Sequence, residues 1–521
     1  MRASLARIGA VVRADVLIRV RRPSSIAVFL ALCALAYLWV PDLSSGRTLM
    51  QVDGHRALYN SATIAIATAG LATLLLGMLG FYLVSNTVRR DIISRTGFVI
   101  AAMPVRSAEY LAGKFLGNAT FLGLVILGYM VNVMGMHLLR GEVPIEPWVY
   151  LSIYLAMAGP AILVISGLAL LFECVRPLSG RVGDVLYFFV WVAMVSLAAA
   201  SDGAPGEQWQ RFTDILGMLF MLQQVRGGQE LQGVSIGQSS FDPSKAPWIF
   251  TGVHWTWPVI EARLAAALLA VPLLLLALGF FVRFDPARIK GGTTHVRVGI
   301  LGRINRWLKP LTRVLLPLAG RGGGLGGIAL GEFTLTLMLS PLALVWWVGL
   351  SGWALVASRS SLTEAVLPVT FVAITTIIAD ITTRDSSAGT TALLYSLPRV
   401  RRGFVVTKFL GAALTALAFL IVPLLRLGFE SPSSALSLAI GGLFVSAAAV
   451  SLGRLTGSSK AFTGLFLLFL YVVLSSKGDP GLDFAGWNGV ETASARLGYL
   501  LAGVAFVAVA MIRHLAEGRR S

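Results

Sequence analysis

Long apolar runs alternate with short polar ones along the whole chain. The runs recur at roughly 18–25 residues, the length at which a helix crosses a hydrocarbon core of about 30 Å. They predict twelve spans. In the first half these are Ser24–Val40 and then about 61–86, 115–139, 148–172, 185–200 and 258–282. In the second half they are about 341–357, 365–381, 408–426, 435–453, 462–476 and 493–512. Alternating ten-residue patterns are absent, which excludes a membrane β-barrel. The predicted fold class is an all-α polytopic membrane protein, twelve transmembrane helices in two tandem six-helix repeats.

The polar stretches carry their own patterns. Residues 2–22 interleave Arg2, Arg7, Arg13, Arg19, Arg21 and Arg22 with Leu5, Ile8, Val11, Val12, Val16, Leu17, Ile18 and Val20. That predicts a helix lying in the interface until Pro23 breaks it. The segment 201–256 is the longest outward one. Its apolar piece Ile215–Leu222 and the aromatics Trp248, Phe250, Trp255 and Trp257 predict short helices dipping back toward the interface. Residues 283–327 form a basic linker, with an amphipathic helix expected over 301–318 and a flexible joint at Gly320–Gly327. The pattern then restarts: Glu332–Leu339 resembles Asp15–Arg22, and Ser340-Pro341 resembles the Pro23 break. The expected division is 1–282, a linker at 283–327, and 328–521.

Composition narrows the class. With 56% hydrophobic and 13% charged residues, the chain is not a soluble globular protein. The net charge of +18 sits where basic residues flank apolar runs, so it reads as anchoring to membrane lipid and not as a nucleic-acid surface. About three quarters of the Lys and Arg residues fall on the side that holds both termini, and the acids lean the other way. Both termini are therefore expected in the cytoplasm. Cys33 and Cys174 have no metal or disulfide spacing, and the apolar run after the basic N-terminus continues too far for a cleaved signal peptide.

No engine is legible within the chain. The phosphate-binding pattern GxxxxGK[ST] is absent, and Gly453–Lys460 lacks its spacing. His55, His137, His254, His295 and His514 are scattered without HExxH, and there is no GxSxG. No catalytic residue and no metal ligand is assigned. The acids lie near span ends: Glu261 with Arg263, and Asp380. The latter reads either as an ion-linked carboxylate or as a helix-end anchor pairing with Arg384 at i+4. The energy for any transport is thus expected from outside the chain.

One polar stretch occurs twice. Arg90–Gly117 and Arg384–Gly411 align without a gap at an offset of 294 residues, and eight of 28 positions are identical: Arg90/Arg384, Asp91/Asp385, Thr96/Thr390, Pro104/Pro398, Lys114/Lys408, Phe115/Phe409, Leu116/Leu410 and Gly117/Gly411. Each copy follows the second span of its half. Each holds an apolar half-helix (Phe98, Val99, Ile100 and Met103; Leu393, Leu394 and Leu397), a proline, and a basic patch. A lysine then marks the return of the chain at the lipid headgroups. Such a stretch can rest on the membrane or in a partner's groove.

These features resemble the permease subunits of type-2 ABC exporters, with both half-permeases fused in one chain. The residues that carry the resemblance are Arg95-Thr96, Met103-Pro104-Val105-Arg106 and Tyr110-Leu111-Ala112-Gly113-Lys114, then Gly389-Thr390, Leu397-Pro398 and Lys408. The acid that the family places before Gly-Thr is missing from both copies (Ile93, Ser387), and Arg95 replaces the first glycine. The resemblance implies an elbow helix before spans 1 and 7 and a coupling helix after spans 2 and 8. It implies two copies of a separate ATPase subunit, which hold the ATP and Mg, so that no cofactor is bound by this chain. Coupling would involve Arg95, Thr96, Met103, Pro104, Arg106, Tyr110 and Lys114 in the first copy. In the second it would involve Gly389, Thr390, Leu397, Pro398, Arg399, Arg401, Arg402 and Lys408. It further implies one permease chain per complex, a bacterial inner membrane, and outward movement of a hydrophobic or amphipathic substrate such as a lipid, antibiotic or peptide. The alternative reading is an ion-gradient-driven twelve-helix secondary transporter, which predicts a short loop after span 2 and charges at the bilayer midplane.

Overall fold

The computed structural model describes residues 2–21, 23–200, 208–227, 233–282, 284, 313–321, 324–340, 342–396, 398–476 and 479–518. It divides into two compact units, Met1–Ile289 and Lys290–Ser521, and the division falls inside the predicted linker. An apolar run in lipid must satisfy its own backbone, and helix does so within one segment. Each of the twelve apolar runs accordingly falls on helix.

Unit 1 contains α1 (Arg2–Val20), α2 (Pro23–Trp39), α3 (Ser61–Leu75), α4 (Thr87–Ile93), α5 (Thr96–Ala102), α6 (Ser107–Arg140), α7 (Pro147–Cys174), α8 (Arg181–Ala200), α9 (Gln208–Thr213), α10 (Met218–Arg226), α11 (Trp257–Leu268) and α12 (Ala270–Phe280). Unit 2 contains α13 (Gly324–Leu339), α14 (Leu342–Val356), α15 (Leu367–Ile378), α16 (Thr391–Tyr395), α17 (Pro398–Glu430), α18 (Pro432–Thr456), α19 (Ser459–Ser475) and α20 (Ala493–Gly518). Among the described residues, eight helical stretches are long and apolar enough to cross a membrane, or nine if α13 and α14, bent by 94° at their junction, count as one. The remaining expected spans fall on α2, α8, α14 and α19, helices of 15 to 20 residues that do not meet that test. Helices α6 and α17, at 34 and 33 residues, are each about 50 Å long and overshoot a 30 Å core.

Breaks in the helices are filled by side chains. Pro160 inside α7 has no N–H to give the Ala156 carbonyl. Arg263 of α11 supplies one, its Nε donating at 2.9 Å, while its Nη1 donates to the Asp214 carbonyl at 2.6 Å. Beyond α3 the helix widens to a π-turn at Leu76–Gly80. Two side chains of α8 reach the carbonyls there: Trp191 Nε1 donates to Leu74 at 3.2 Å, and Tyr187 Oη donates to Gly77. A Cβ at Gly77 would sit 2.8 Å from Leu216 and 2.9 Å from Trp191, so only glycine fits. At the far end of α6, Arg140 donates to the Tyr37 carbonyl at 2.9 Å and to that of Val40, capping α2. Arg426 of α17 caps α14 in the same manner, through the Ala354 and Ala357 carbonyls at 2.8 and 2.6 Å.

Three expectations change. A small antiparallel sheet joins two inter-helix segments of unit 1, in the order β2 (His55–Arg56), β1 (Arg47–Val52), β3 (Val234–Ser240). Met50 faces Ile236 in its register, and Asp53-Gly54 turn the hairpin at φ +49° and +79°. In the linker, 301–312 lies outside the described residues. The expected joint is in part helical, because Gly324–Gly327 open α13. Packing on α17 compensates the glycine entropy there: Gly327 is buried, and a Cβ at Gly411 would meet the Ala329 carbonyl at 3.6 Å. Finally, α1 packs one face against the protein, where Asp15 and Arg19 are buried.

Candidate functional site

The first twin stretch is built from short pieces. Asn86, at φ +70°, turns the chain out of the α3 span. The Glu173 carboxylate at the end of α7 then accepts the N–H groups of Thr87, Val88 and Arg89 at 2.9, 2.6 and 3.2 Å, capping α4 where its dipole favours an anion. Arg95 follows at φ +60°, and Gly389 holds the matching place in the second stretch at φ +72°. After each comes a short helix, α5 or α16. The hydroxyls of Thr96 and Thr390 donate to the carbonyls of Asp91 and Asp385, at 3.4 and 3.2 Å. Met103-Pro104 ends α5, and α6 opens with the Glu109 carboxylate accepting the Arg106 N–H at 2.9 Å.

Beneath each stretch lies a buried ion cluster. In unit 1 the Lys114 ammonium is 2.8 Å from Asp15 Oδ1 of α1 and 2.8 Å from Asp91 Oδ2 of α4. Arg90 reaches the same Asp15 oxygen at 2.6 Å, and Tyr110 Oη donates to Asp91 at 2.8 Å. Arg19 lines one side, bonded to Asn118 at 2.5 Å, Thr87 at 2.7 Å and the Val84 carbonyl at 3.3 Å. In unit 2, Lys408 is 2.7 Å from Glu332 Oε1 of α13 and 2.6 Å from Asp385 Oδ2. Arg384 pairs with Glu332 and donates to Thr336 Oγ1 at 2.8 Å. Removing ions from water costs several kcal/mol each, so such groups persist only as a mutually paired, hydrogen-bonded set. Here the set ties α1 in one unit, and α13 in the other, to the stretch and to the long helix after it.

A glycine on that long helix makes the approach possible. A Cβ at Gly117 would stand 3.2 Å from Asp15 Cβ, and one at Gly411 would stand 2.7 Å from Glu332 Cβ. The cluster lysine also lies over an aromatic ring in each unit, Lys114 over Tyr110 and Lys408 over Phe404, both at 5.3 Å.

The residues expected to couple to a partner separate into two groups. Arg95, Thr96, Met103, Pro104, Arg106, Gly389 and Thr390 are exposed. So are the apolar Phe98, Val99 and Leu393, the last at 70%. Tyr110, Lys114 and Lys408 are turned inward, at 4% exposure or less. Each of the two lysines is enclosed by two carboxylates. Pro398, Arg399, Arg401 and Arg402 fall in the first turns of α17, their side chains outside the described part, and Leu397 lies outside the described residues. Among the described residues no three of His, Cys, Asp or Glu gather as a metal site.

Sequence reasoning missed the acids that complete the clusters. The signal available was a second constant offset. Asp15 and Glu332 are 317 apart, the spacing at which Asp15–Arg22 and Glu332–Leu339 correspond. No family model, no curated protein and no solved structure matches the chain.

Proposed function

We propose that this chain is the membrane-spanning permease of an ATP-driven exporter of the type-2 ABC kind, two six-helix halves fused in one polypeptide. Separate ATPase subunits dock on the exposed apolar faces of α5 and α16 and supply the ATP and Mg chemistry. The chain itself hydrolyses nothing. Its cargo is hydrophobic or amphipathic, since the spans are apolar along most of their length. Tyr110, Lys114 and Lys408 act as positioning residues, and Phe98, Val99, Met103 and Leu393 meet the partner.

The observation that carries this reading is the pairing of opposites in each unit. A short helix with exposed apolar side chains is mounted on a buried ionic base that joins α1 or α13 to the long helix. A rigid mount beneath an exposed handle transmits a push from one surface into the spans. The test is recovery of a subunit bearing GxxxxGK[ST], two copies per chain, with the protein purified from its native membrane. Val99→Asp with Leu393→Asp is expected to abolish that recovery while the chain stays folded. Undiminished recovery from the double variant overturns the reading.

A further inference from the structure

The last described helix of each unit carries, or leads directly into, a ring that lies flat on the twin stretch. In unit 1, Phe281 follows α12 and stacks on Tyr110, with centroids 5.6 Å apart and planes at 21°. Phe284 meets Tyr110 edge-on at 5.4 Å and fills the space under α5, where a Cβ at Gly97 would stand 2.5 Å from its ring. Phe284 holds φ +41°, a backbone that aromatic residues avoid, so its packing outweighs the strain. In unit 2, Phe404 occupies the place that Tyr110 has in the first copy. His514 of α20 stacks on it at 5.4 Å and 17°. Tyr395 of α16 stands edge-on to both rings at 5.6 Å.

We propose that these rings are clamps: the last helix of each unit holds its docking stretch down through one stacked ring, and the two clamps are chemically unlike. The unit 1 clamp is two phenyl rings in an apolar cluster with Val88, Leu111 and Leu170. The unit 2 clamp is an imidazole among charges. Arg454 lies 6.0 Å from the Phe404 ring and pairs with Glu517 at 2.5 Å, and Arg513 also pairs with Glu517, at 2.8 Å. A phenyl ring in an apolar cluster gives up only burial when it leaves. An imidazole carries ring nitrogens that water serves well, so its release costs less. The stretch containing α16 is therefore the one that lifts more readily. The inference rests on the docking reading only for what moves the stretches.

Hydrogen–deuterium exchange on the full chain in detergent, with no partner added, tests it. In His514→Ala, amides 391–396 are expected to exchange about tenfold faster while 96–102 stay unchanged, the scale of one lost aromatic pair. Phe281→Ala with Phe284→Ala is expected to do the reverse. His514→Phe keeps the ring and is expected to slow 391–396 below the parent, and it reads the clamp even if an alanine variant does not fold. The proposal is overturned if either alanine variant loosens both stretches alike or leaves its own unchanged, or if His514→Phe exchanges as fast as His514→Ala. Failure to recover an ATPase partner would sink the docking reading and leave this exchange pattern standing.

Discussion

At the scale of single residues, the ion clusters make the sharpest demands. Lys114 neutralises two carboxylates at once, so Lys114→Met leaves Asp15 with Arg90 and Arg19, and leaves Asp91 with Arg90 alone at 3.8 Å. Breaking a buried pair in this way costs about 3–5 kcal/mol. Asp91→Asn added to Lys114→Met removes the carboxylate left with the weakest pairing, so the double variant is expected to melt above the single one in detergent, opposite to additive damage. Arg95 presents the contrary case. It holds a left-handed backbone that glycine adopts freely, and Gly389 does so at the matching place. Arg95→Gly is expected to raise the melting temperature, by up to about 1 kcal/mol of stability once the extra unfolded-state entropy of glycine is subtracted. A third residue sets a pH response outside the spans. Burial pushes the Glu142 carboxyl up, but bonds from Arg56 and from the Tyr59 N–H outweigh it and hold it below its usual value of 4.5. A depressed carboxyl stabilises fully above its unfolded value and loses that contribution as pH falls through the folded one. The β1–β2–β3 sheet is therefore expected to loosen on acidification below about pH 4.5. Glu142→Gln should start less stable at neutral pH and show a shallower acid decline, measured by amide exchange at 47–56.

At the scale of elements, the close approach of first and long helices decides what the mount tolerates. At Gly117 an added methyl is 3.2 Å from its neighbour and small shifts relieve it; at Gly411 the gap is 2.7 Å and the helices must part. Gly411→Ala is thus expected to cost about 1–3 kcal/mol and Gly117→Ala less, read as thermal stability of each variant. Elements also show what the sequence reveals by itself. Apolar helices are legible because run length and apolarity are local properties; eight helical stretches pass as spans among the described residues, while the other four expected runs fall on helices that do not. The sheet was not legible. Arg47–Val52 reads as a polar loop until β3, far along the chain, pairs with it. Nor were the clusters. Arg90, Asp91 and Lys114 stood out as repeated, but repetition does not say whether a charge faces a partner or another helix. Asp15 hid in a segment whose mixed apolar and basic positions look like a surface helix, and only the packing of α1 on α6 turns it inward.

At the scale of the whole molecule, the decisive issue is which side of the membrane each stretch occupies. Each unit has its own buried core and its own cluster, so neither stretch depends on the other for its shape. What they must share, for one soluble motor to work both, is a compartment. On the proposed topology, the distribution of lysine and arginine predicts that they share a side with the termini and that the β1–β2 hairpin lies opposite. Single cysteines at Arg95, Leu393 and Asp53, in a chain with Cys33 and Cys174 replaced, report this directly, because the first two sites are exposed and the third lies on the hairpin turn. A membrane-impermeant maleimide added to intact cells is expected to label Asp53→Cys at once. It should label Arg95→Cys and Leu393→Cys only after the membrane is opened. Labelling of both from outside would invert the chain and remove any role for an internal ATPase. Labelling of one alone would mean an odd number of crossings between the stretches, which no pair of equivalent handles survives. The charge bias is a sum over many short loops, and one miscounted crossing would split it. The agreement of both cysteines is for that reason a stronger constraint on mechanism than either site alone.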